Sequence, residues 1–395
     1  MSPSKAWTMS IFFFDTIRKL DPTRPIHYEG HYDSKKRELS HFDIISTMYP
    51  SVEMLQEFYS MDTTRPMIIC EYAHAMGNST GNFWKYWELF ESNRRMQGGF
   101  IWDWVDQGLT KTSPSGEKYF AYGGDFGDRP NNANFCINGL VSPDRTPHPG
   151  LAEVKKIHQF IRFEPADIEN GKIKIRNNYD FLTTSFLSFT YLYKEDGKLL
   201  SEGEIALPEL QPGEEMVIEI PDYPRKTVGN ELFLDVFMKT KRESSWAPEG
   251  HVVAYEQFKL YSNPKADYRL QMQEGKSLQT LQSEIEYVIR GENFESVLDK
   301  NSGLLSKYEV NNKNFIELGP KSNFWRAPTD NDQGRGEISF AYQWRKAGLH
   351  NLSYQLDSII PLNIKDKQAE FRVLGKLVSA AGEIIHRRDY TFYGN

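Results

Sequence analysis

Glu71 lies at the end of a predicted strand, which is where enzymes with alternating strands and helices carry their catalytic groups. It follows the apolar run Met67–Cys70 and precedes a loop, Ala73–Gly81. A carboxylate beside so apolar a run must be paired, protonated or functional. In parallel βα barrels, catalytic groups lie at the carboxyl ends of strands. The residues leave two interpretations open, a catalytic carboxylate and a structural one that pairs with a loop arginine.

A second cluster, QGGFIWDWVDQGL, has the same strand-to-loop placement and supplies Trp102, Asp103, Trp104 and Asp106. An indole at a barrel mouth suits a sugar platform, whereas the alternative for either tryptophan is a place in the core. The two aspartates could equally be helix caps or ion-pair partners. A third cluster, residues 122–151, is a long loop rich in Gly, Asn and Asp. Loops of that length inside compact domains are usually functional.

The elements that would position these clusters alternate between β-rich and helical runs, which indicates βα units around a parallel sheet. Four strands are predicted: Pro25–Glu29, Phe42–Tyr49, Met67–Tyr72 and Gly99–Val105. Three helices carry apolar faces, formed by Phe14 and Ile17, by Val52, Leu55 and Phe58, and by Phe83, Tyr86, Trp87 and Phe90. We expect Pro22 to end the first helix and Asn78 or Ser79 to cap the last.

Beyond residue 157 the apolar period becomes two, which is typical of strands. Turns at Asn170-Gly171 and Asp196-Gly197 flank alternating runs, so residues 158–262 are predicted to form a β-sandwich. The polar connector at 261–269 leads to a third, β-rich segment, 263–395, which contains SEIEYVIRG, GLLSKYEV and HRRDYTFYG. This segment stops on an apparent strand, and we expect that the C-terminus is artificial, because such a stop leaves an unpaired edge.

Composition excludes several classes of protein. With 39% hydrophobic and 14% aromatic residues, the chain has the balance of a globular protein. Its 47 basic and 54 acidic residues give a formal charge of −7 without a basic stripe, so neither nucleic acid nor membrane is an expected partner. Two cysteines exclude a disulfide framework. Because no export signal is recognisable, we expect a cytoplasmic location, with the periplasm open if the true N-terminus lies upstream.

Long motifs occur in this chain in a characteristic order: RPIHYEG, TMYP, RPMIICEYAHAMGNS, QGGFIWDWVDQ, YGGDFGD, NFCINGLV, DRTPHP and SNFWRAPTDND. Together they closely resemble the large multidomain bacterial β-galactosidases of glycoside hydrolase family two. The resemblance covers essentially the whole chain. It implies the C-terminal half of a (β/α)8 barrel at 1–157, an immunoglobulin-like sandwich at 158–262, and the truncated start of a large β-sandwich at 263–395.

By this resemblance, several residues receive roles in binding and hydrolysing a β-galactoside. Glu71 matches the nucleophile that forms a covalent galactosyl intermediate, and Tyr49 matches a tyrosine that assists departure of the sugar. His74, Trp102 and Asn138 match residues that bind galactose. Two of the family's sodium ligands correspond to the backbone oxygen of Phe135 and the side chain of Asn138, and a hard cation fits such oxygens.

The second catalytic carboxylate is expected to be missing. Retaining glycosidases use two carboxyl groups roughly 5–5.5 Å apart. In the resembled family the acid/base glutamate ends a GNE segment upstream of RPIHYEG, where this chain has no counterpart. The family's magnesium ligands, which include that glutamate, and an upstream aspartate of the sodium site are expected to be missing with it. The downstream tripeptide Gly229-Asn230-Glu231 lies in an alternating β run, so we interpret it as a turn.

The sequence therefore predicts part of a retaining exo-β-galactosidase that acts on terminal β-D-galactose, as in lactose, and is inactive alone. One alternative is a non-catalytic carbohydrate-binding fragment or one that complements another chain. Another is a relative of the β-glucuronidase or β-mannosidase type. A homo-oligomer is expected for a full-length parent. The sequence does not identify the preferred aglycone or glycosidic linkage.

Overall fold

The computed structural model describes residues 3–29, 42–224, 230–262, 276–334 and 336–394. The chain divides into two compact units, Met1–Asn263 and Pro264–Asn395, which are considered separately below. Most of the predicted connector at 261–269 lies outside the described residues. No helix in the described ranges has the length and apolar character needed to cross a membrane.

The first part of unit 1 consists of strands joined by helices, followed by a hairpin and a short helix. In chain order the elements are α1 (Pro3–Leu20), β1 (Ile45–Met48), α2 (Val52–Met61), β2 (Met67–Tyr72), α3 (Phe83–Ser92), β3 (Met96–Ile101), β4 (Leu109–Thr112), β5 (Lys118–Ala121) and α4 (Gly150–Ile157). Strands β1, β2 and β3 form a parallel sheet in that order, and β4 pairs with β5. The sheet therefore arises from two successive βαβ units.

Helices α2 and α3 pack on this sheet through the apolar faces that their sequences predict. Leu55 and Phe58 of α2 are buried, as are Phe83 and Phe90 of α3. They share a core with Ile69 of β2 and other residues of the sheet. Helical periodicity is confirmed here because the apolar stripe of each helix has a sheet to cover.

The predicted strand Pro25–Glu29 is wrong, since this segment has no regular secondary structure. Its Ile26 carbonyl accepts one backbone hydrogen bond, from Asp43, at 3.0 Å, and the Ile26 N–H donates to the Asp43 carboxylate at 2.6 Å. The Asp43 carboxylate thus accepts the hydrogen bond that a backbone carbonyl of a neighbouring strand would accept in a sheet. The other boundaries also shift, because β1 begins at Ile45 and β3 covers Met96–Ile101. The described sheet has three strands, where the sequence predicts four.

Two further predictions about helices are wrong. Asn82 begins α3 with a left-handed backbone and no capping bond from its side chain, while Ser79 donates to the Met76 carbonyl at 2.6 Å. The loop after β2 is therefore longer than predicted. In α1, Phe14 is buried but Ile17 is exposed, since Phe14 packs with Ile26 and Phe42 in a small cluster that does not reach Ile17.

The second part of unit 1 is built from two antiparallel sheets. Its strands are β6 (Ile161–Asp167), β7 (Lys172–Asn177), β8 (Leu187–Glu195), β9 (Lys198–Ile205), β10 (Glu215–Glu219), β11 (Glu231–Thr240) and β12 (Val252–Ser262). One sheet has the order β10-β7-β6 and the other β12-β11-β8-β9. Alternate residues of both sheets, among them Ile175, Phe189 and Val236, are fully buried in a common core. This burial of alternate residues explains why apolar residues recur at every second position in this part of the sequence.

Three polar contacts tie these sheets to the helices before them. The Lys156 ammonium of α4 lies 2.8 Å from the Glu256 carboxylate of β12. The Tyr255 N–H donates to the Gln159 side chain at 3.1 Å. Arg162 of β6 forms an ion pair with Glu91 of α3.

Asn230 and Glu231 of the tripeptide Gly229-Asn230-Glu231 belong to this sandwich. Gly229 lies outside the described residues, but the N–H groups of Asn230 and Glu231 donate to the Asp196 carboxylate at 3.0 and 2.9 Å. The Glu231 side chain forms an ion pair with Lys259 at 2.7 Å. The interpretation of the tripeptide as a turn therefore holds for Asn230, which lies in the bend before β11, whereas Glu231 is the first residue of that strand and pairs with β12.

Unit 2 contains two antiparallel sheets with short helices between them. Its elements are β13 (Gln279–Gln282), β14 (Glu286–Arg290), β15 (Phe294–Asp299), β16 (Leu305–Val310), β17 (Lys313–Asn314), α5 (Asp330–Gln333), α6 (Phe340–Lys346), β18 (Ser353–Lys365), β19 (Gln368–Ser379) and β20 (Gly382–Tyr393). The first sheet follows chain order from β13 to β17, and the second from β18 to β20. Their shared core includes Tyr287, Leu298 and Phe371.

The RAPTDND part of a long motif forms a compact ion-paired turn in unit 2. The Arg326 guanidinium donates to the Asp332 carboxylate at 2.5 and 3.0 Å. Asp332 also accepts from the Thr329 N–H at 2.7 Å, and Thr329 caps α5 in return. The hydrogen bond from Arg326, with those from Thr329, lowers the pKa of Asp332 to about 2.

This depressed pKa predicts a pH-dependent contribution to stability. Because the folded pKa lies below the ordinary 3.8, the contribution is complete above about pH 4 and is lost as the pH falls towards 2. We expect Asp332→Asn to lower the free energy of unfolding of unit 2 by about 1–2 kcal/mol at pH 7, the lower value allowing for solvent screening at Arg326. Urea unfolding at pH 7 and pH 3 measures this difference.

The matched control is Asp366→Asn, since Asp366 lies exposed in the turn between β18 and β19. This control should change the stability little. A constant difference between wild type and Asp332→Asn at both pH values would contradict the linkage.

Candidate functional site

The parallel pairing of β1 and β2 brings Tyr49 beside Glu71. Met48 is the register partner of Glu71, and the Tyr49 N–H donates to the Glu71 carbonyl at 2.8 Å. Tyr49 has a left-handed backbone, with φ of 47°, which is costly for a residue with a Cβ and recurs at functional sites. Both residues lie at the carboxyl ends of their strands, the edge at which βα proteins bind ligands.

The side chains of Tyr49 and Glu71 are also joined, because the Tyr49 hydroxyl forms a hydrogen bond with the Glu71 carboxylate. Burial is the largest cause that raises the pKa of Tyr49 far above its ordinary value, and the negative charge of Glu71 adds to it. The phenol therefore stays protonated and donates to the carboxylate. The described residues contain no ion pair between Glu71 and an arginine.

His74 joins this pair to the long loop. Its ring lies 6.0 Å from the ring of Tyr49, edge to face, and stacks on the ring of Phe135 at 5.8 Å. Phe135 belongs to a 3-10 turn, Ala133–Cys136, inside that loop. Three of the predicted site residues thus converge from β1, from the segment after β2 and from the loop.

Trp102 follows β3 at the same edge of the sheet. Its N–H donates to the Tyr72 carbonyl at 3.1 Å, and its carbonyl accepts from the Ala75 N–H at 2.8 Å. The indole is 38% exposed, and that of Trp104 is exposed further. The core interpretation of these two tryptophans is therefore wrong, and Trp102 is available to contact a ligand.

The backbone of the Trp102 segment holds the Asn138 segment in place. The Asp103 N–H donates to the Asn138 carbonyl at 2.8 Å, and the Leu140 N–H donates to the Asp103 carbonyl at 3.0 Å. The Asp103 carboxylate accepts from the Trp104 N–H and, at 2.6 Å, from the Gln107 amide. Asp103 therefore stabilises its own turn, and within the described ranges it neither caps a helix nor forms an ion pair.

Asn138 has an unsatisfied oxygen in a buried position. Its side chain is 3% exposed, and its Nδ2 donates to the Phe135 carbonyl at 3.0 Å. Its Oδ1 is buried and has no hydrogen-bond partner within the described residues. A buried amide oxygen without a donor suits a hard cation, although Nδ2 rather than Oδ1 faces the Phe135 carbonyl in this structure. No cluster of three His, Cys, Asp or Glu side chains in the described ranges could hold a metal ion.

Asp106 and His148 clamp the loop, and sequence reasoning gave His148 no role. The buried Asp106 carboxylate accepts from the Gly139 N–H at 2.7 Å and lies 3.3 Å from His148 Nε2. His148 Nδ1 lies 3.0 Å from the Gly139 carbonyl. Because Nδ1 donates to the Gly139 carbonyl, Nε2 carries a proton only in the imidazolium form, so Asp106 has an ion-pair partner only when His148 is protonated. The motif DRTPHP, which contains His148, was the available signal.

Cys70 precedes Glu71, and its thiol donates to the Thr47 carbonyl at 3.2 Å. Burial is the main cause that raises the pKa of this thiol, and the charges of Glu29 and Glu71 act in the same direction. Cys70 is therefore held as a neutral thiol between β1 and β2.

Gly139 has no space for a side chain, which provides a test of the clamp. A Cβ at this position would lie 2.3 Å from the Asp106 N atom and 2.4 Å from the Val105 carbonyl carbon. We expect Gly139→Ala to displace the loop and to accelerate proteolytic cleavage within residues 122–150. Limited proteolysis with mass spectrometry locates the cut.

Gly81→Ala is the control, because nothing lies within 4 Å of a Cβ there. Equal cleavage of the two variants would show that the clamp does not fix the loop.

Comparisons with known proteins bear on this geometry. The family model described as "Glycosyl hydrolases family 2, TIM barrel domain" matches residues 8–163. The model "Beta-galactosidase, domain 4" matches residues 173–261, and "Beta galactosidase small chain" matches residues 290–395. The three matches follow one another along the chain without overlap.

Curated relatives agree with these matches. A β-galactosidase of Priestia megaterium is 38% identical over 334 residues, covering 84% of this chain and 32% of the relative. One from Psychromonas ingrahamii is 37% identical, with 86% of this chain and 35% of the relative covered. β-Galactosidase 2 of Enterobacter cloacae is 36% identical, with coverages of 86% and 34%. The chain thus spans about a third of the length of these relatives.

Solved structures match less well. An FMN-binding β-glucuronidase from Facaelibacterium prausnitzii has a TM-score of 0.27 at 13% identity, covering 64% of this chain and 38% of that protein. An exo-chitosanase from Amycolatopsis orientalis has a TM-score of 0.22 at 10% identity, with coverages of 65% and 25%. Scores this low carry no argument about the site.

Proposed function

Because this chain belongs to glycosyl hydrolase family 2, we propose that it supplies the nucleophile of a retaining exo-β-galactosidase. The substrate class would be terminal, non-reducing β-D-galactosides such as lactose. The observation that carries this proposal is the register of the parallel sheet, which sets Tyr49 beside Glu71 at the carboxyl edge, with the Tyr49 N–H donating to the Glu71 carbonyl at 2.8 Å.

In the proposed reaction, the Glu71 carboxylate attacks the anomeric carbon and forms a glycosyl ester while the aglycone leaves. Water then cleaves the ester, so that two inversions give net retention. A carboxylate suits this role at neutral pH because it is ionised and can also be a leaving group. Tyr49 stays protonated, holds the carboxylate in one orientation, and can return its hydrogen bond to Glu71 as the galactosyl group departs.

The neighbouring side chains suit a galactose in contact with Glu71. The exposed indole of Trp102 offers a flat apolar face for the C–H groups of a pyranose. His74, stacked on Phe135, and Asn138, held by the Asp103 backbone, would supply hydrogen bonds to hydroxyl groups. All of these groups lie on segments that the clamp of Asp106 and His148 keeps together.

Asn138 Oδ1, which is otherwise unsatisfied, would be one ligand of a sodium ion, and the Phe135 carbonyl would be a second once the ion displaced its hydrogen bond from Asn138 Nδ2. Such an ion, when bound, would supply positive charge for a sugar hydroxyl. The magnesium site of the resembled family would need ligands from outside this chain, so we assign no residue to it.

The domain assignment is proposed on the same basis. Residues 1–157 would be the second half of a (β/α)8 barrel, and 158–262 an immunoglobulin-like sandwich, to which the two antiparallel sheets of three and four strands correspond. Residues 263–395 would be the N-terminal part of a larger β-sandwich. The general acid/base would come from a polypeptide that corresponds to the remaining length of the relatives.

We expect the chain alone to hydrolyse galactosides poorly, because general acid–base catalysis contributes roughly 10²–10⁴ in rate. A substrate with a good leaving group avoids this requirement for the first step. We therefore expect 2,4-dinitrophenyl 2-deoxy-2-fluoro-β-galactoside to leave one fluorogalactosyl group on Glu71, with the chain alone or mixed with an N-terminal half from a relative. Peptide mass spectrometry locates the group.

Glu71→Gln should abolish the label, whereas Glu88→Gln on the exposed face of α3 should retain it. The corresponding fluoroglucuronide tests the β-glucuronidase alternative. Labelling at another residue, or full turnover of an unactivated galactoside by the chain alone, would contradict the proposal. Saccharide binding without any label would favour the non-catalytic alternative.

A further inference from the structure

Unit 2 contains a cavity of about 400 Å³ between β18, β20 and the segment that precedes α5. Tyr354 of β18, His386 and Arg388 of β20, and Lys321 of the preceding segment form its polar wall. Leu304 and Leu356 contribute to an apolar wall. The volume lies within the range of small-molecule sites in proteins.

Three polar atoms of the side chains in this wall are buried and have no hydrogen-bond partner among the residues that the structure describes. They are the Tyr354 hydroxyl, His386 Nδ1 and Arg388 Nε. Buried polar atoms are almost always paired, because leaving one unpaired costs its hydration. All three belong to side chains that line the same cavity, so a ligand that draws these side chains towards the cavity would complete their bonds.

The three side chains are held in place by contacts with one another and with their surroundings. The Arg388 guanidinium lies 4.7 Å from the centre of the Tyr354 ring, and the rings of Tyr354 and His386 meet edge to face at 5.9 Å. His386 Nε2 is bonded to the Ser322 hydroxyl, and Arg388 donates to the Pro320 carbonyl at 3.4 Å. The unsatisfied atoms therefore belong to a preformed group.

Gly375 provides the space at the base of this group. It lies on β19, between Leu356 of β18 and His386 of β20. A Cβ at this position would lie 2.6 Å from the Tyr354 hydroxyl and 2.5 Å from the Gln355 carbonyl oxygen. Any residue other than glycine would displace Tyr354.

The charge of the wall determines what it can bind. Arg388 and Lys321 are cationic, and none of the described residues that line the cavity is acidic. Burial, followed by the charge of Arg388, lowers the pKa of His386. An anion would therefore be favoured, and the leucines would contact an apolar body attached to it.

We propose that this cavity binds a small organic anion. Its carboxylate or phosphate group would accept hydrogen bonds from Tyr354, His386 and Arg388, and its apolar body would lie against Leu304 and Leu356. The site requires no part of the galactosidase proposal.

Three probes of similar size test this site on the full chain by isothermal titration calorimetry: benzoate, phenyl phosphate and the neutral benzyl alcohol. We expect at least one anion to bind about tenfold or more tightly than benzyl alcohol, because charged hydrogen bonds distinguish the probes. The tighter anion identifies the head group as carboxylate or phosphate. Absence of anion binding, or equal affinity for the alcohol, would overturn the proposal.

Arg388→Gln should weaken the anion about tenfold, whereas Arg387→Gln should not. The control removes the same charge from the adjacent residue, whose guanidinium donates to Asp389 at 3.1 and 3.0 Å. Equal effects of the two variants would mean that only net charge matters, contrary to the proposal.

Tyr354→Phe keeps the test independent of folding. Since the Tyr354 hydroxyl has no hydrogen-bond partner in the described part of the chain, its removal should leave the melting temperature unchanged or raise it while weakening the binding of the anion. Unchanged affinity in this variant would exclude the hydroxyl, and with it the proposed site.

Discussion

The parallel register of β1 and β2 is the constraint from which the site follows. Parallel strands end at the same edge of a sheet, so Tyr49 and Glu71 meet although a helix separates them in the chain. The backbone bond from the Tyr49 N–H to the Glu71 carbonyl fixes their relative height. Slippage by one residue would turn one of the side chains to the opposite face of the sheet and separate the phenol from the carboxylate.

The pairing of β1 with β2 depends on the helices packed behind the sheet, and the site also depends on the loop in front of it. Leu55 and Phe83 are buried to the full extent, and this packing holds β2 between its neighbours. In front, Asp106 and His148 hold Gly139, so the segment that carries Asn138 is fixed to the segment that carries Trp102. A long loop without regular secondary structure is thus ordered by a few buried polar contacts, which are costly to break.

The spacing of apolar residues in a segment predicts those helices and strands that bury one face of the segment. Apolar periodicity identifies α2 and α3, and strict alternation identifies strands such as β8 and β11, because each pattern reflects a face that must be buried. The segment at 25–29 has strand composition but no ladder partner among the described residues, and composition carries no information about partners. The cap of α3 fails for a related reason, since the loop after β2 satisfies Ser79 internally.

The site itself is only partly accessible to sequence reasoning. A carboxylate after an apolar strand leaves catalysis and structure equally open, and it was the resemblance of whole motifs that assigned Glu71, Tyr49 and Trp102. Neither the buried Oδ1 of Asn138 nor the contact between Asp106 and His148 could be inferred from spacing. Both depend on the path of a loop that returns to the sheet from far along the chain.

The contacts of Lys156 and Gln159 with β12 bear on how separable the parts of unit 1 are. Helix α4 begins at Gly150, two residues after His148, so the sandwich contacts the helix that follows the clamp. The predicted domain boundary near residue 157 therefore does not separate two structurally independent parts. Residues 1–157 alone would keep Val154 of α4 in the core of the sheet but would lose the ion pair of Lys156 with β12, so α4 would be held less firmly. None of the site residues named above comes from the sandwich, yet the position of the loop in the site depends on contacts with the sandwich.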